Sequence, residues 1–191
     1  SLAQASFNAA DSCASLSSLE IADTRITSTA LVDRNAFIAA GTDTAIDTPP
    51  FCRLVGVTPP AVNFEVWLPL SGWNGNYQSV GNGGMAGTIS YGAMASALRR
   101  GYASASTDTG HSAGPIPFDA SWASGRPDLI EDFGHRALHL TTVNAKRVTE
   151  AFYSSPPDYS YYVGCSKGGQ QGLMEAQRYP DDFDGILAGD P

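Results

Sequence analysis

Past residue 60 the chain carries a readable alternation. Val62, Phe64, Val66 and Leu68 alternate with Asn63, Glu65, Trp67 and Pro69, which predicts a strand. Residues 71–75 read as a loop, 76–80 as a second short strand running into Gly81-Asn82-Gly83-Gly84. Met94 and Leu98 lie one turn apart, so 91–100 reads as a helix stopped by Gly101. A strand is predicted over 102–106, then a loop from 107 to about 127, a length usually kept for function. Leu129, Phe133, Ala137, Leu140, Val143 or Asn144, Val148 and Phe152 fall near helical spacing over 128–153, with Asp128 and Glu131 as a capping box. Pro156-Pro157 ends that helix. A strand over 159–163, a helix over 167–178 and an apolar strand over 183–188 follow. Strands alternating with helices imply a largely parallel sheet covered on both faces. The first two strands, joined by a short loop, are expected to pair antiparallel.

Residues 1–60 read differently. Ser, Ala, Thr and Asp dominate, periodicity is weak, and Pro49-Pro50 and Pro59-Pro60 punctuate the end. The stretch is taken as an irregular N-terminal extension with one short helix over 12–19, capped by Asp11 or Ser12. Residues 61–191 are taken as the first part of a catalytic domain. Cys13 and Cys52 bracket the extension and are expected to be joined. With Cys165 the count is three, so the odd cysteine is either a free thiol or has a partner outside these residues.

Composition narrows the function. Lys+Arg 11 against Asp+Glu 19 gives a net charge of −8, without the clustered basic residues that nucleic-acid binding needs. No stretch of 18 apolar residues occurs, so no membrane span is expected. The first residues lack a charged n-region and a long apolar run, so they are not expected to be a signal peptide; either the protein is cytosolic or the signal has already been removed. Charged residues are only 16% of the chain, a balance that favours an exported protein.

The sharpest chemical signal is Gly164-Cys165-Ser166-Lys167-Gly168. It fits G-x-S-x-G, and it lies where that pattern has meaning, between a predicted strand and a predicted helix. A sharp turn there lifts Ser166 as a nucleophile and points the helix N-terminus, with the Lys167 backbone N–H, at a developing oxyanion. The plainer alternative is that the glycines only shape a tight turn. A second oxyanion donor must come from an earlier strand-to-helix loop. Gly81, Asn82, Gly83 and Gly84 form the candidate. His111, His135 and His139 all precede Ser166, whereas this chemistry usually runs serine, acid, histidine along the chain. His135 and His139, four apart on a helix, have a spacing that suits a metal, but read better as packed or surface histidines. No metal site is assigned in this chain. His111, after a strand end, is a candidate for the pocket wall. The nucleophile is therefore present without its base, as expected of the N-terminal portion of a larger unit.

Gly164-Cys165-Ser166-Lys167-Gly168-Gly169, followed by Glu175 to Pro180 and by Phe183-Asp184-Gly185-Ile186, resembles the tannase/feruloyl esterase family. The likeness extends to Trp73-Asn74-Gly75, the glycine loop at 81–84, Thr107 to His111, and Phe133 to His139. It implies an α/β-hydrolase fold, incomplete in this chain, and a secreted serine carboxylic ester hydrolase of the EC 3.1.1 class. Hydroxycinnamoyl (feruloyl-type) esters of plant cell walls rank above gallate esters as its substrates. It implies that Cys165 is disulfide-bonded to a cysteine beside the catalytic histidine, outside this chain. The acid, the histidine and a lid with structural calcium are expected on a C-terminal portion or a second polypeptide. No cofactor for catalysis is expected. The competing possibility is a non-catalytic binding or structural segment that pairs with a partner chain.

Overall fold

The computed structural model describes residues 7–114, 116 and 118–191. Residues 1–6 of the expected extension, and two positions of the loop over 107–127, lie outside the described residues. Seven strands form one sheet: β1 (Arg25–Val32), β2 (Phe51–Thr58), β3 (Val62–Pro69), β4 (Asn76–Val80), β5 (Ala103–Thr107), β6 (Tyr159–Cys165) and β7 (Gly185–Gly189). Their order is β1-β2-β3-β5-β4-β6-β7. The sheet is antiparallel from β1 through β5 and parallel from β5 through β7. This is the α/β-hydrolase type, with helices on both faces.

The short loop after β3 does not make a hairpin. β5 lies between β3 and β4, antiparallel to the first and parallel to the second. The pairing is corrected by a long-range fact: helix α2 (Tyr91–Arg99) carries the chain over the sheet and drops β5 into the gap. Residues 1–60 are also more ordered than their composition suggests. β1 and β2 lie in this stretch and extend the sheet. Phe51, Cys52 and Leu54 are fully buried. The first helix, α1 (Ala9–Ser15), starts earlier than expected. Asn8 caps it, its side-chain oxygen accepting from the N–H groups of Ala10 and Asp11. The expected bond is present: Cys13 and Cys52 are joined, with Cα atoms 5.8 Å apart.

The sheet buries both faces. Cys52, Leu54, Phe64, Val66, Leu68, Tyr77 and Tyr162 point to the side of α1 and α4 (Ala137–Tyr153). Phe51, Trp67 and Val80 point to Met94, Ala95 and Leu98 of α2. The long helix is not one regular α-helix. Pro127–Glu131 (α3) passes through a π-helical turn, Asp132–Arg136, into α4. A π turn inserts an extra residue and shifts which side chains face inward. Leu129 is buried, and the buried stripe resumes at Ala137, Leu138 and Thr141 rather than at Leu140. Val143 is exposed and Asn144 buried, donating to the hydroxyls of Thr24 and Thr58. Asp128 sits inside α3 and accepts from Arg126, so it does not cap. Among the described residues no helix is long and apolar enough to cross a membrane.

Candidate active site

Strand β6 ends at Cys165, and α5 (Lys167–Arg178) begins two residues later. Ser166 is the joint. Its φ of 59° and ψ of −121° lie outside the ordinary regions for a side-chain-bearing residue, a conformation costing of order 1–3 kcal/mol. Its N–H donates to the Gly189 carbonyl of the neighbouring strand at 3.0 Å, and its carbonyl accepts from Gln170. Both Cys165 and Ser166 are solvent-exposed, and Cys165 is a free thiol here.

The turn closes because backbone packs on backbone. A Cβ at Gly164 would come within 2.6 Å of the Gly168 carbonyl carbon and the Tyr162 hydroxyl. One at Gly81 would lie 2.6 Å from the Gly168 Cα and against the same hydroxyl. The glycine loop after β4 thus rests directly on the first turn of α5. Tyr162 donates its hydroxyl to the Gly168 carbonyl at 2.7 Å. Burial pushes its pKa up, so it stays a neutral donor.

Within the loop the four expected donors differ. Gly81 N–H donates to the Val163 carbonyl in the sheet. Asn82 N–H donates to Gln171 Oε1 at 3.0 Å. Both are spent. Among the described residues the N–H groups of Gly83, Gly84 and Lys167 have no acceptor. The first turn of α5 adds the positive end of a helix dipole beside Ser166.

The Lys167 side chain turns inward. Its ammonium lies 3.4 Å from the centroid of the Phe133 ring, donates to the Phe133 carbonyl at 2.9 Å and to Gln170 Oε1 at 2.6 Å. Phe133 belongs to the π turn. Burial lowers the pKa of this lysine to about 8.

His111 is placed by the long loop and is buried. Its Nε2 meets the Met85 carbonyl at 2.8 Å, so that nitrogen carries the proton. Its Nδ1 lies 3.4 Å from the Thr109 hydroxyl, and the ring stacks on Trp122 at 3.7 Å. The residue therefore braces the loop at Met85, next to Gly84. His135 Nδ1 meets the Tyr179 hydroxyl at 2.8 Å, and burial lowers its pKa. His139 Nδ1 meets Asp182 at 2.6 Å, with the ring flat on Tyr179. The two histidines have separate partners and do not converge on one ion. His139, Glu175 and Asp182 do bring donor atoms within 4.8 Å of one another. Beside them the Lys146 ammonium donates to the Asp182 backbone carbonyl and already supplies positive charge. Burial and the neighbouring Asp182 push the Glu175 carboxyl up to about 9.

Gln171, Tyr162 and the inward Lys167 side chain were not singled out from sequence. One signal was available for Gln171 and Glu175. They sit four apart on the buried stripe of α5, and a polar residue on an inward face must have a partner.

The tannase and feruloyl esterase family model matches residues 46–191. An uncharacterized esterase of Xanthomonas campestris pv. campestris is 45% identical over 188 residues, 96% of this chain and 32% of that protein. A probable feruloyl esterase of Arthroderma benhamiae is 48% identical over 134 residues, 66% of this chain and 25% of that protein. Among solved structures, feruloyl esterase B from Aspergillus oryzae superposes with a TM-score of 0.85 at 32% identity, covering 95% of this chain and 37% of that one. The chain spans about a third of the length of such relatives. With its strand–serine–helix turn set against a glycine loop, the chain belongs to the tannase and feruloyl esterase family.

Proposed function

We propose that this segment supplies the nucleophile and the oxyanion hole of a secreted serine carboxylic ester hydrolase acting on hydroxycinnamoyl (feruloyl-type) esters. The observation that carries the proposal is the backbone of Ser166, held at positive φ between β6 and the N-terminus of α5. Ser166 Oγ attacks the ester carbonyl as a base takes its proton. The carbonyl oxygen becomes an oxyanion, received by the N–H of Lys167 and those of Gly83 and Gly84. Collapse releases the alcohol and leaves an acyl-serine, which water hydrolyses to the free acid. The base and its acid come from outside these 191 residues. His111 is not that base, because its Nε2 is committed to Met85 and its ring lies under Trp122.

Feruloyl rather than galloyl esters are chosen because two relatives, 48% and 41% identical, carry the names probable feruloyl esterase and probable feruloyl esterase B-1. The exposed Cys165 thiol is proposed to pair with a cysteine near that base, tying the two halves of the site together. A lid with structural calcium is proposed for the same outside portion. Secretion is supported by the buried Cys13–Cys52 bond, which persists in oxidising compartments.

The test is Ser166→Ala in the full-length enzyme, assayed on an aryl ferulate. Turnover should fall by about 10³-fold or more with folding intact. Activity within a few-fold of the parent would sink the assignment. Intact mass under non-reducing conditions checks Cys165 independently; a free thiol there removes the proposed bond.

A further inference from the structure

Gln171 lies in the second turn of α5, almost wholly buried. Its amide faces Asn82, also buried, in a two-way clasp. Gln171 Oε1 accepts from the Asn82 backbone N–H at 3.0 Å, and Gln171 Nε2 donates to Asn82 Oδ1 at 2.9 Å. The remaining Asn82 donor atom is used twice, to the carbonyls of Thr88 and Thr107, each at 2.9 Å. Tyr162 reaches Gln171 Oε1 at 3.3 Å. The amides have few other bonds to make, and their orientation follows from these partners.

The clasp has a particular place. Asn82 is followed by Gly83 and Gly84, two of the loop residues whose N–H groups have no acceptor among the described residues. On the far side His111 holds the Met85 carbonyl. The two open donors are thus suspended between two fixed points, one on the helix that carries the nucleophile. The elbow serine and the loop are far apart in sequence, 89 residues between Asn82 and Gln171. Glycine sets no direction of its own. Without the clasp the loop would rest on α5 only through van der Waals contact of glycines.

We infer that Gln171 is a positioning residue for the oxyanion hole: through Asn82 it fixes the Gly83–Gly84 donors relative to Ser166. This rests on the esterase reading above. Donors to an oxyanion act only in the transition state, so loss of their placement lowers kcat and leaves substrate binding nearly alone.

The experiment uses the full-length enzyme with four proteins: parent, Ser166→Ala, Gln171→Met and Gln171→Glu. Met keeps the length and removes both bonds. Glu keeps an acceptor for Asn82 N–H and removes the donor to Asn82 Oδ1. Gln171→Met should lower kcat by about 10–100-fold, short of or equal to outright loss of one donor, with KM within about three-fold. Gln171→Glu should fall between it and the parent. Affinity for an aryl boronic acid, which forms a tetrahedral adduct at the serine, should drop in step with kcat. Inhibition by the free hydroxycinnamic acid should not change. Loss of thermal stability with kcat and boronate affinity both within two-fold of the parent overturns the inference and leaves a merely structural glutamine. If Gln171→Met does not fold, Gln171→Glu decides by the same criteria. Activity retained by Ser166→Ala overturns the esterase reading itself, whereas its loss beside an unaffected Gln171 pair overturns the clasp alone.

Discussion

The two halves of the sheet are held by opposite means. From β1 to β3 the chain is fastened with large side chains and a covalent bond. Trp67, Phe37 and Phe51 pack ring on ring, with centroids 4.4–6.3 Å apart, and Cys13 ties α1 to β2. The buried Glu65 carboxylate accepts from Arg53, Trp67 and Tyr91. From β4 to β7, around the serine, the contacts are made by missing side chains: Gly81, Gly164 and Gly168 bring backbones together. The first half resists change by volume and satisfied charge. At Gly81 and Gly164 the second leaves no room for an added methyl unless the backbone moves. Stability and chemistry thus occupy separate parts of one sheet, and substitutions should divide along the same line.

The largest effect on stability is expected at the covalent fastening. Cys13→Ala with Cys52→Ala opens a 39-residue span and should lower unfolding free energy by about 3–4 kcal/mol in the chain-entropy model. Ester turnover below the unfolding temperature should stay within about two-fold. Urea unfolding checks the first, and an assay of the same sample the second. A drop in turnover parallel to stability would erase the division between the halves.

Next comes the glycine contact. Gly81→Ala places a Cβ against Tyr162 Oη and 2.6 Å from Gly168 Cα. Turnover should fall by about 10²-fold, the scale of a small misplacement of reacting groups. The overpacking cost is about 1–3 kcal/mol. Steady-state kinetics with a thermal melt separates the two. Near-parent kcat would mean that the loop has room that the backbone contacts deny.

At the charged pair, Arg53→Leu leaves the Glu65 carboxylate with Trp67 and Tyr91 as its donors. A loss of about 2 kcal/mol is expected, below the 3–5 kcal/mol of a fully buried broken pair because Arg53 is partly exposed. Arg53→Leu combined with Glu65→Gln should recover part of it, which a double-mutant cycle measures. An additive pair would show that the carboxylate does not depend on Arg53.

A pH-dependent effect concerns Glu175, behind the site. Its pKa is raised from 4.5 to about 9, so the folded protein binds a proton that the unfolded chain gives up. Its contribution to stability is therefore full below about pH 4.5 and declines as pH rises toward 9. His139, Asp182 and Lys146 surround it. Glu175→Gln keeps a neutral donor and should flatten that part of the pH–stability curve. Denaturation at a series of pH values between 5 and 9 tests it. An unchanged slope would assign the dependence to another group.

The parallel half was legible because its signals are local. G-x-S-x-G between a strand and a helix names Ser166, and the helix over 167–178 matches α5 to the residue. The antiparallel half was obscured for physical reasons. β1 is an edge strand in which Thr27, Ser28, Ala30 and Leu31 are exposed, so it carries little apolar alternation. β2 alternates, but proline pairs at both ends mask it. Insertion of β5 between β3 and β4 is a long-range choice that no loop length encodes. The π turn at 132–136 shifts the buried stripe by a residue without any propensity signal. At the candidate site, the position of each group on a strand end, loop or helix start was readable, whereas the fate of each N–H was not. Gly81 and Asn82 donors were consumed by partners, Val163 and Gln171, distant in sequence.

The stack of His111 on Trp122 gives this chain an optical handle. The imidazole lies in face contact with the indole, 3.7 Å between ring centres, so the surroundings of this indole change if the two rings separate. The other two tryptophans are differently placed: Trp67 is buried against Phe51, and Trp73 is stacked on Tyr153. Trp122 emission is therefore expected to be sensitive to whether the brace beside the glycine loop is seated. Because the same histidine holds Met85, a change in Trp122 emission on ligand addition would time movement of the glycine loop without any attached dye.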